Sequence, residues 1–341
     1  MTTPRWKVAL IGCGDAGTAH AVTVGRLHGA ELVAALDPAG ERARALCAEH
    51  GGRPVGSIAE LAAEKPDVVI VATGPIAQPD IVAELAAEGF HAGLLCEKPL
   101  ATSVAAARRL LDTGARAGMT IAVNHQRRFG LAVRKAVELV RDGTIGRPVR
   151  VEGFAKDATL FDWGPHWIDI AHLVAQDAPV TWVSGAVDLS DPRDHAGLRL
   201  EGWGQLVWEH ANGLRGQLEC GADTAGQPLL RILGTGGVIE FGSVVPAPDG
   251  FRRGPVLRVL GPSAGWQEID AGESALAAQQ WLRSLSELTD ALAEGRTPAH
   301  DGERALRALE VCLAGYLAAR TGGRIRPRAA EGIDIRETLH G

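Results

Sequence analysis

The chain lacks any excess of positive charge: 35 Lys and Arg stand against 41 Asp and Glu, for a net charge of −6 and a pI near 6.0. A nucleic acid or an anionic membrane would require a basic footprint, and the isolated pairs Arg127-Arg128 and Arg252-Arg253 do not supply one. Cysteine is scarce. The five residues (Cys13, Cys47, Cys96, Cys220, Cys312) are odd in number, scattered and without CxxC spacing, as expected of reduced core residues in a cytosolic protein. No apolar run approaches the roughly 20 residues that span a bilayer. The start, Met1 to Trp6, enters a strand without a secretory pattern. Internal repeats are missing too, as is low-complexity sequence beyond a general richness in Ala. These absences predict a soluble, cytoplasmic protein without nucleic-acid or membrane partners.

What is present is a core-forming composition, 46% hydrophobic over 341 residues, which suits two domains. The most informative stretch is the strand Val8-Ala9-Leu10-Ile11 running into Gly12-Cys13-Gly14-Asp15-Ala16-Gly17. Each glycine has a separate use in holding a dinucleotide. Gly12 permits the tight turn, Gly14 lets backbone approach a pyrophosphate, and Gly17 lets the next helix pack closely on the sheet. The N-terminal N–H groups of that helix face the phosphate charge, and Asp15 and Ala16 in the turn are further expected cofactor contacts. Asp37 ends the second apolar run and is placed to accept hydrogen bonds from a ribose hydroxyl. With Pro38 and Ala39 following, no partner for a 2′-phosphate is at once available, although Arg42 and Arg44 lie a little further on. The cofactor is therefore read as NAD over NADP.

The first third alternates strand and helix. Strands are predicted at 7–11, 31–36, 67–72, 91–96 and 120–124, and helices at 19–27, 41–50, 80–88 and 104–117. Short apolar strands with little alternation imply a parallel, doubly wound sheet. After about residue 125 a helix over 131–142 leads into β-rich segments at 149–156, 180–187, 202–210, 214–220, 229–233, 238–241 and 256–260. Asn212-Gly213 signals a hairpin, and the Gly-Pro-rich piece 245–255 reads as a loop. A helix over 162–175 is inserted early, with its regular part starting near Pro165, and two long helices follow at 275–294 and 302–321. The expected fold is α/β: a Rossmann domain (1–125), a second α/β domain with a large, mostly antiparallel open sheet (126–330), and a tail (331–341). One face of that sheet is expected to pack on helices. The other, as an apolar patch, is expected to pair with a second subunit.

Two clusters carry candidate chemistry. Glu97-Lys98-Pro99 follows the fourth strand, where the ligand crevice of a doubly wound sheet lies. Pro99 holds Lys98 extended, pointing toward the nicotinamide region. Thr73, Glu97, Lys98 and Asn124, which follow later strands, are the remaining expected cofactor contacts. In the second domain Asp162 and His166 lie four apart, on one helical face, and an imidazole accompanied by an acid suits a proton acceptor. Asp169 falls on the same face. Its substrate contact competes evenly with a bridging role, and His172 reads as structural. His166 and His172 lack the spacing of a helical zinc pair, so no metal is expected. Trp163 or Trp167 suits the apolar face of a sugar ring or, equally, a plain core.

The order GxGxxG with Asp37, then Glu97-Lys98-Pro99, then Asn124 to Phe129, then Asp162-x-Gly164-x-His166-x-x-Asp169, resembles the Gfo/Idh/MocA oxidoreductases over about residues 5–328. Gly143 to Gly146 and Gly234 to Gly237 resemble further pieces of the family. The resemblance implies that Lys98, Asp162 and His166 match the family's catalytic lysine, aspartate and histidine, and that the second sheet mediates dimers or tetramers. Lys98, Asp162, His166, Asp169 and Trp163 form the expected substrate set. There are departures. The histidine that family members often carry in the loop after the third strand is absent from Thr73 to Pro79, which contains Gln78, and the glycine run before Asp162 is missing. The leading expectation is an NAD-dependent dehydrogenase of a sugar, sugar derivative or cyclic polyol. An NAD-dependent glycoside hydrolase or lyase working through transient oxidation at C3, and a non-catalytic sugar or dinucleotide sensor, are the alternatives.

Overall fold

Six short strands build the first sheet of the computed structural model, which describes residues 6–222, 224, 229–247, 250–262, 265–272 and 278–338. They alternate with helices as β1 (Trp6–Ile11), α1 (Asp15–Arg26), β2 (Ala30–Leu36), α2 (Gly40–His50), β3 (Arg53–Val55), α3 (Ile58–Ala63), β4 (Val68–Val71), α4 (Gln78–Ala87), β5 (Gly93–Cys96), α5 (Val104–Arg116) and β6 (Thr120–Val123). All neighbours are parallel, in the order β3-β2-β1-β4-β5-β6. This is the Rossmann arrangement, with the order reversing between β1 and β4. Sequence patterning misses β3 and α3. β3 contains Pro54, which suits an edge strand. α3 opens on a capping box, Ser57 accepting from the Glu60 N–H while Glu60 accepts from Gly56.

The later β-rich part is a second, eight-stranded sheet. Its elements are α6 (Leu131–Arg141), β7 (Pro148–Lys156), α7 (Leu160–Val174), β8 (Val180–Asp188), a small hairpin of β9 (Arg193–His195) and β10 (Leu198–Leu200), then β11 (Trp203–His210), β12 (Arg215–Gly221), β13 (Leu229–Gly234), β14 (Val238–Ala247), β15 (Gly250–Leu260) and β16 (Trp266–Ile269). The order is β16-β15-β14-β13-β7-β12-β11-β8, antiparallel except for the β7–β12 pair. Asn212-Gly213 does sit in the β11–β12 turn, with Gly213 at φ +82. The loop expected over 245–255 is corrected. β14 extends to Ala247 and β15 begins at Gly250, positions 248–249 lying outside the described residues; Pro255 falls in an irregularity of their register between Arg253 and Val256, where proline does not interrupt the ladder.

Alternation along β11, β12 and β13 buries Leu206, Trp208, Leu218, Leu230 and Ile232. α7 lies on that side, so close that a Cβ on Gly153 of β7 would stand 2.5 Å from Trp167 Cδ1. The other side is not the apolar patch expected. Its middle is a ladder of opposite charges: Arg150 with Glu152 at 2.7 Å, Arg231 with Glu240 at 3.1 Å and Arg258 with Glu240 at 2.9 Å.

Among the described residues three α-helices follow the second sheet: α8 (Ala278–Glu294), α9 (Gly302–Thr321) and the short α10 (Ile335–Thr338). Contacts divide the molecule into Met1–Gln126 with Ala277–Leu306, and Arg127–Leu276 with Arg307–Gly341. Thus α8, expected with the second domain, joins the first unit. Leu285 and Leu288 enter the same core as Val8, Leu10, Ile70 and Leu95, and Leu292 fills the space left by Gly93, whose Cβ would come within 2.5 Å of it. The expected tail is partly packed as well, because Ile333 and Ile335 are buried.

Candidate functional site

In the first unit the chain leaves β1 through Gly12 at φ +94. A Cβ there would lie 2.5 Å from the Ala72 carbonyl oxygen, and one on Gly17 would lie 2.1 Å from that of Gly12. Neither position accepts a side chain. Gly14 is different: nothing stands within 4 Å of its missing Cβ. It is also the N-cap of α1, with no side chain capping the helix. The first-turn N–H groups of Asp15, Ala16 and Gly17 therefore border open space, a cradle of the kind a pyrophosphate fills. Asp37 is fixed beside it, Oδ2 accepting the Cys13 N–H at 2.7 Å and Oδ1 accepting that of Ala39 at 2.9 Å. Burial, reinforced by the charge of Asp37 and by Cys47, pushes the Cys13 thiol up to about 12, so it is neutral and unreactive. Across the turn, the Thr73 hydroxyl after β4 is buried without a hydrogen-bond partner, a donor and acceptor for a bound group.

At the end of β5, Glu97 is buried. Its Oε1 meets His20 Nε2 at 2.8 Å and accepts from Asn124 Nδ2 at 2.7 Å. Burial alone would raise its pKa. The hydrogen bond and charge of His20, with Lys98 and Asn124, outweigh that and hold it below the usual value, so the carboxylate is ionised. Asn124 in turn accepts from Ser284 Oγ at 2.8 Å. Both ends of the Asn124 amide are thus engaged, and the residue is fully buried. Lys98 keeps partial exposure, and the two carbonyls flanking it are pinned by one side chain. Gln78 Nε2 donates to Glu97 O at 2.9 Å and to Pro99 O at 3.0 Å. Gln78→Leu would strand two buried acceptors, each costing about 1–3 kcal/mol. Denaturant unfolding of the intact chain should show a loss of about 2 kcal/mol or more; an unchanged midpoint would show that Gln78 holds nothing.

The second unit's candidates lie on α7. This helix starts earlier than expected, at Leu160, because Thr159 caps it: its Oγ1 accepts the Asp162 N–H at 3.3 Å. Pro165 lies inside the helix, lacking the N–H that would otherwise bond the Phe161 carbonyl. Asp162, His166 and Asp169 share a face at i, i+4 and i+7. His166 is buried, with the Trp163 ring edge-on at 6.2 Å. One face of Trp163 is covered by the Arg127 guanidinium at 4.0 Å, a cation–π stack. Burial pulls the Arg127 pKa down to about 10, against the opposing pull of Asp162. Trp167 is core. Asp169 takes the bridging role: it faces Arg128 Nε at 3.5 Å, the two side chains being 3% and 4% exposed.

Gln78, His20, Glu201 and His195 escape a reading of the sequence. Only Gln78 carries a signal there, lying in the loop where the family often has a histidine. Glu201 Oε1 accepts the Leu160 N–H at 2.5 Å, and its Oε2 accepts from the Tyr316 hydroxyl at 2.7 Å. It thus holds the first residue of α7. Among the described residues, no group of three or more His, Cys, Asp or Glu side chains is arranged for a metal ion, and no helix is long and apolar enough to cross a membrane.

A parallel sheet in Rossmann order with a bare glycine cradle, followed by a mixed, mostly antiparallel sheet, defines a dinucleotide-binding α/β oxidoreductase. The chain belongs to the Gfo/Idh/MocA family: residues 6–125 match its oxidoreductase family, NAD-binding Rossmann fold, and residues 156–240 match its C-terminal domain. The chain is 27% identical to D-apiose dehydrogenase of Paraburkholderia graminis, over 97% of this chain and 92% of that protein. It is also 27% identical to inositol 2-dehydrogenase of Streptomyces avermitilis, over 96% of each. Among solved structures, an oxidoreductase from Agrobacterium radiobacter in complex with NAD+, L-tartaric acid and magnesium superposes with a TM-score of 0.81 at 22% identity, over 95% of this chain and 99% of that one. Levoglucosan dehydrogenase in complex with NADH and L-sorbose gives 0.80 at 20% identity, over 94% and 98%.

Proposed function

We propose that this oxidoreductase transfers a hydride between NAD and a hydroxyl or carbonyl of a sugar, sugar derivative or cyclic polyol. The observation that carries the reading is the rigid setting of Lys98. A buried glutamate and a buried glutamine fix the backbone on both sides of a lysine that is itself partly open. Bound at the Gly14 cradle and Asp37, NAD supplies the hydride acceptor. In the oxidative direction His166 has the role of taking the proton of the reacting hydroxyl, Lys98 that of a hydrogen-bond donor and charge that eases carbonyl formation, and Asp162 that of orienting substrate or imidazole. Names of relatives that act on D-apiose and inositol support the substrate class. Following NADH absorbance with a panel of sugars, inositols and glycosides tests the reading. Glycoside cleavage without net NADH would favour a hydrolase or lyase, and binding without either would favour a sensor.

Cofactor choice follows from Asp37, whose carboxylate favours a free 2′-hydroxyl and repels a 2′-phosphate. A charge-assisted hydrogen bond contributes about 1.5–3 kcal/mol. Asp37→Ala should therefore weaken NAD at least tenfold and narrow the gap to NADP; calorimetry showing tighter NADP binding to the native protein would refute this.

The charge ladder on the second sheet alternates in sign, so the same surface on a second copy is self-complementary under a two-fold axis. A cytoplasmic homodimer or homotetramer formed through this sheet is the expected assembly. Light scattering should give a dimer or larger at micromolar concentration, with Glu240→Arg shifting it toward monomer. A monomeric native protein would end the idea.

A further inference from the structure

Between β8 and β11 the chain makes a detour, the hairpin β9–β10, which forms a sheet of its own. Its tip is a two-residue turn with Ala196 at φ +51 and Gly197 at φ +79, and His195 pairs with Leu198 across it. Positive φ at both central residues matches the twist of the strands. Both ends of the detour are tied to the start of α7. Going out, Arg193 meets Asp157 at 3.4 Å. Coming back, Glu201 accepts the N–H of Leu160. Leu198 and Leu200 are buried, and Gly202 is pressed so close to Asp191 that a Cβ would lie 2.2 Å from its carbonyl oxygen. This anchoring delivers His195 Nε2 to 3.5 Å from Asp162 Oδ1, the two side chains remaining 42% and 20% exposed.

We propose that His195 is a substrate-binding residue, and that its imidazole and the Asp162 carboxylate together grip neighbouring hydroxyls of a neutral, polyhydroxylated ring. The inference rests on the reading of Asp162 as part of the substrate site. Both side chains keep part of their surface open, and a carboxylate has several acceptor sites. Asp162 accepts only, while a neutral imidazole donates from one nitrogen and accepts at the other. A pair of this kind matches the mixed donor and acceptor character of adjacent hydroxyls. Asp162 also repels a substrate carboxylate at this position, so the pair selects neutral rings over sugar acids.

The test compares the native protein, His195→Ala and His195→Gln on the sugar and polyol panel, with a series of monodeoxy analogues of the best compound. KM should rise about tenfold in His195→Ala, the size of one lost hydrogen-bonding contact, with kcat changed less than threefold and partial recovery in His195→Gln. For one analogue, native protein and His195→Ala should have equal KM, because the hydroxyl that His195 binds is gone. Equal KM values on every compound, or a uniform rise that no deoxy position abolishes, would overturn the proposal while leaving the dehydrogenase reading intact. If the native protein oxidises nothing, the dehydrogenase reading falls, and calorimetric binding of the same compounds decides on His195. Binding weakened by His195→Ala supports the proposal; unchanged or undetectable binding overturns it.

Discussion

Replacing Lys98 by Met is expected to lower turnover of a verified substrate by about a hundredfold to ten-thousandfold, the range lost with a positioned acid, base or charge stabiliser. The substitution keeps the length of the side chain and removes its donors and charge. NAD affinity should stay within a few-fold, because the cradle at Gly14 and the carboxylate of Asp37 are untouched. Glu97 loses one of its stabilising charges, but its bonds to His20 and Asn124 remain. His166→Ala should give a loss of the same order. Stopped-flow single turnovers separate this loss at the chemical step from slow product release. Full turnover by Lys98→Met would refute the assignment.

The second large effect concerns stability. Burial, partly offset by the hydrogen bonds from Tyr316 and Leu160, raises the Glu201 pKa from 4.5 to about 7. Cys220, Cys312 and Tyr316 around it are themselves pushed well up, chiefly by burial, and stay neutral. A carboxyl raised in the folded state stabilises the fold fully below the unfolded value, and that contribution is lost as pH rises through the folded value. At about 1.4 kcal/mol per unit, the loss between pH 4.5 and 7 is about 3 kcal/mol. Glu201→Gln imitates the protonated acid and should flatten this part of the curve, so its advantage over the native protein in thermal midpoint grows from pH 5 to pH 8. Parallel curves would show that Glu201 does not titrate across this range. His210 adds an opposite slope at lower pH: burial depresses its pKa, so its contribution is full above the usual histidine value and is lost as pH falls.

How much was legible depended on distance along the chain. Gly12, Gly14, Gly17 and Asp37 announce themselves because the turn, the helix start and the second strand are consecutive, and the apolar strands of a doubly covered sheet are unambiguous. Asp162 and His166 could be paired because helical periodicity relates them. Glu201 and Leu160, His195 and Asp162, Gln78 and Pro99 are brought together only by the fold, and no local pattern predicts such pairs. Composition misled in two places. Glycine and proline over 245–255 suggest a loop, whereas 245–247 and 250–255 lie in paired strands with an irregular register, and Gly164-Pro165 suggests a helix start where Thr159 already supplies the cap. The position of Asn124 at a strand end is visible in the sequence, whereas its engagement by Glu97 and Ser284 is not.

The return of α8 to the first unit makes order of synthesis matter. A ribosome completes every strand of the Rossmann sheet long before it reaches Leu285 and Leu288, so the groove these leucines fill stays open to solvent in the nascent chain. The first unit cannot finish folding ahead of the second, as an N-terminal domain ordinarily does; its last piece emerges after the second sheet has been made. Chaperone capture of stalled chains should therefore persist past residue 276 and fall once α8 has cleared the exit tunnel.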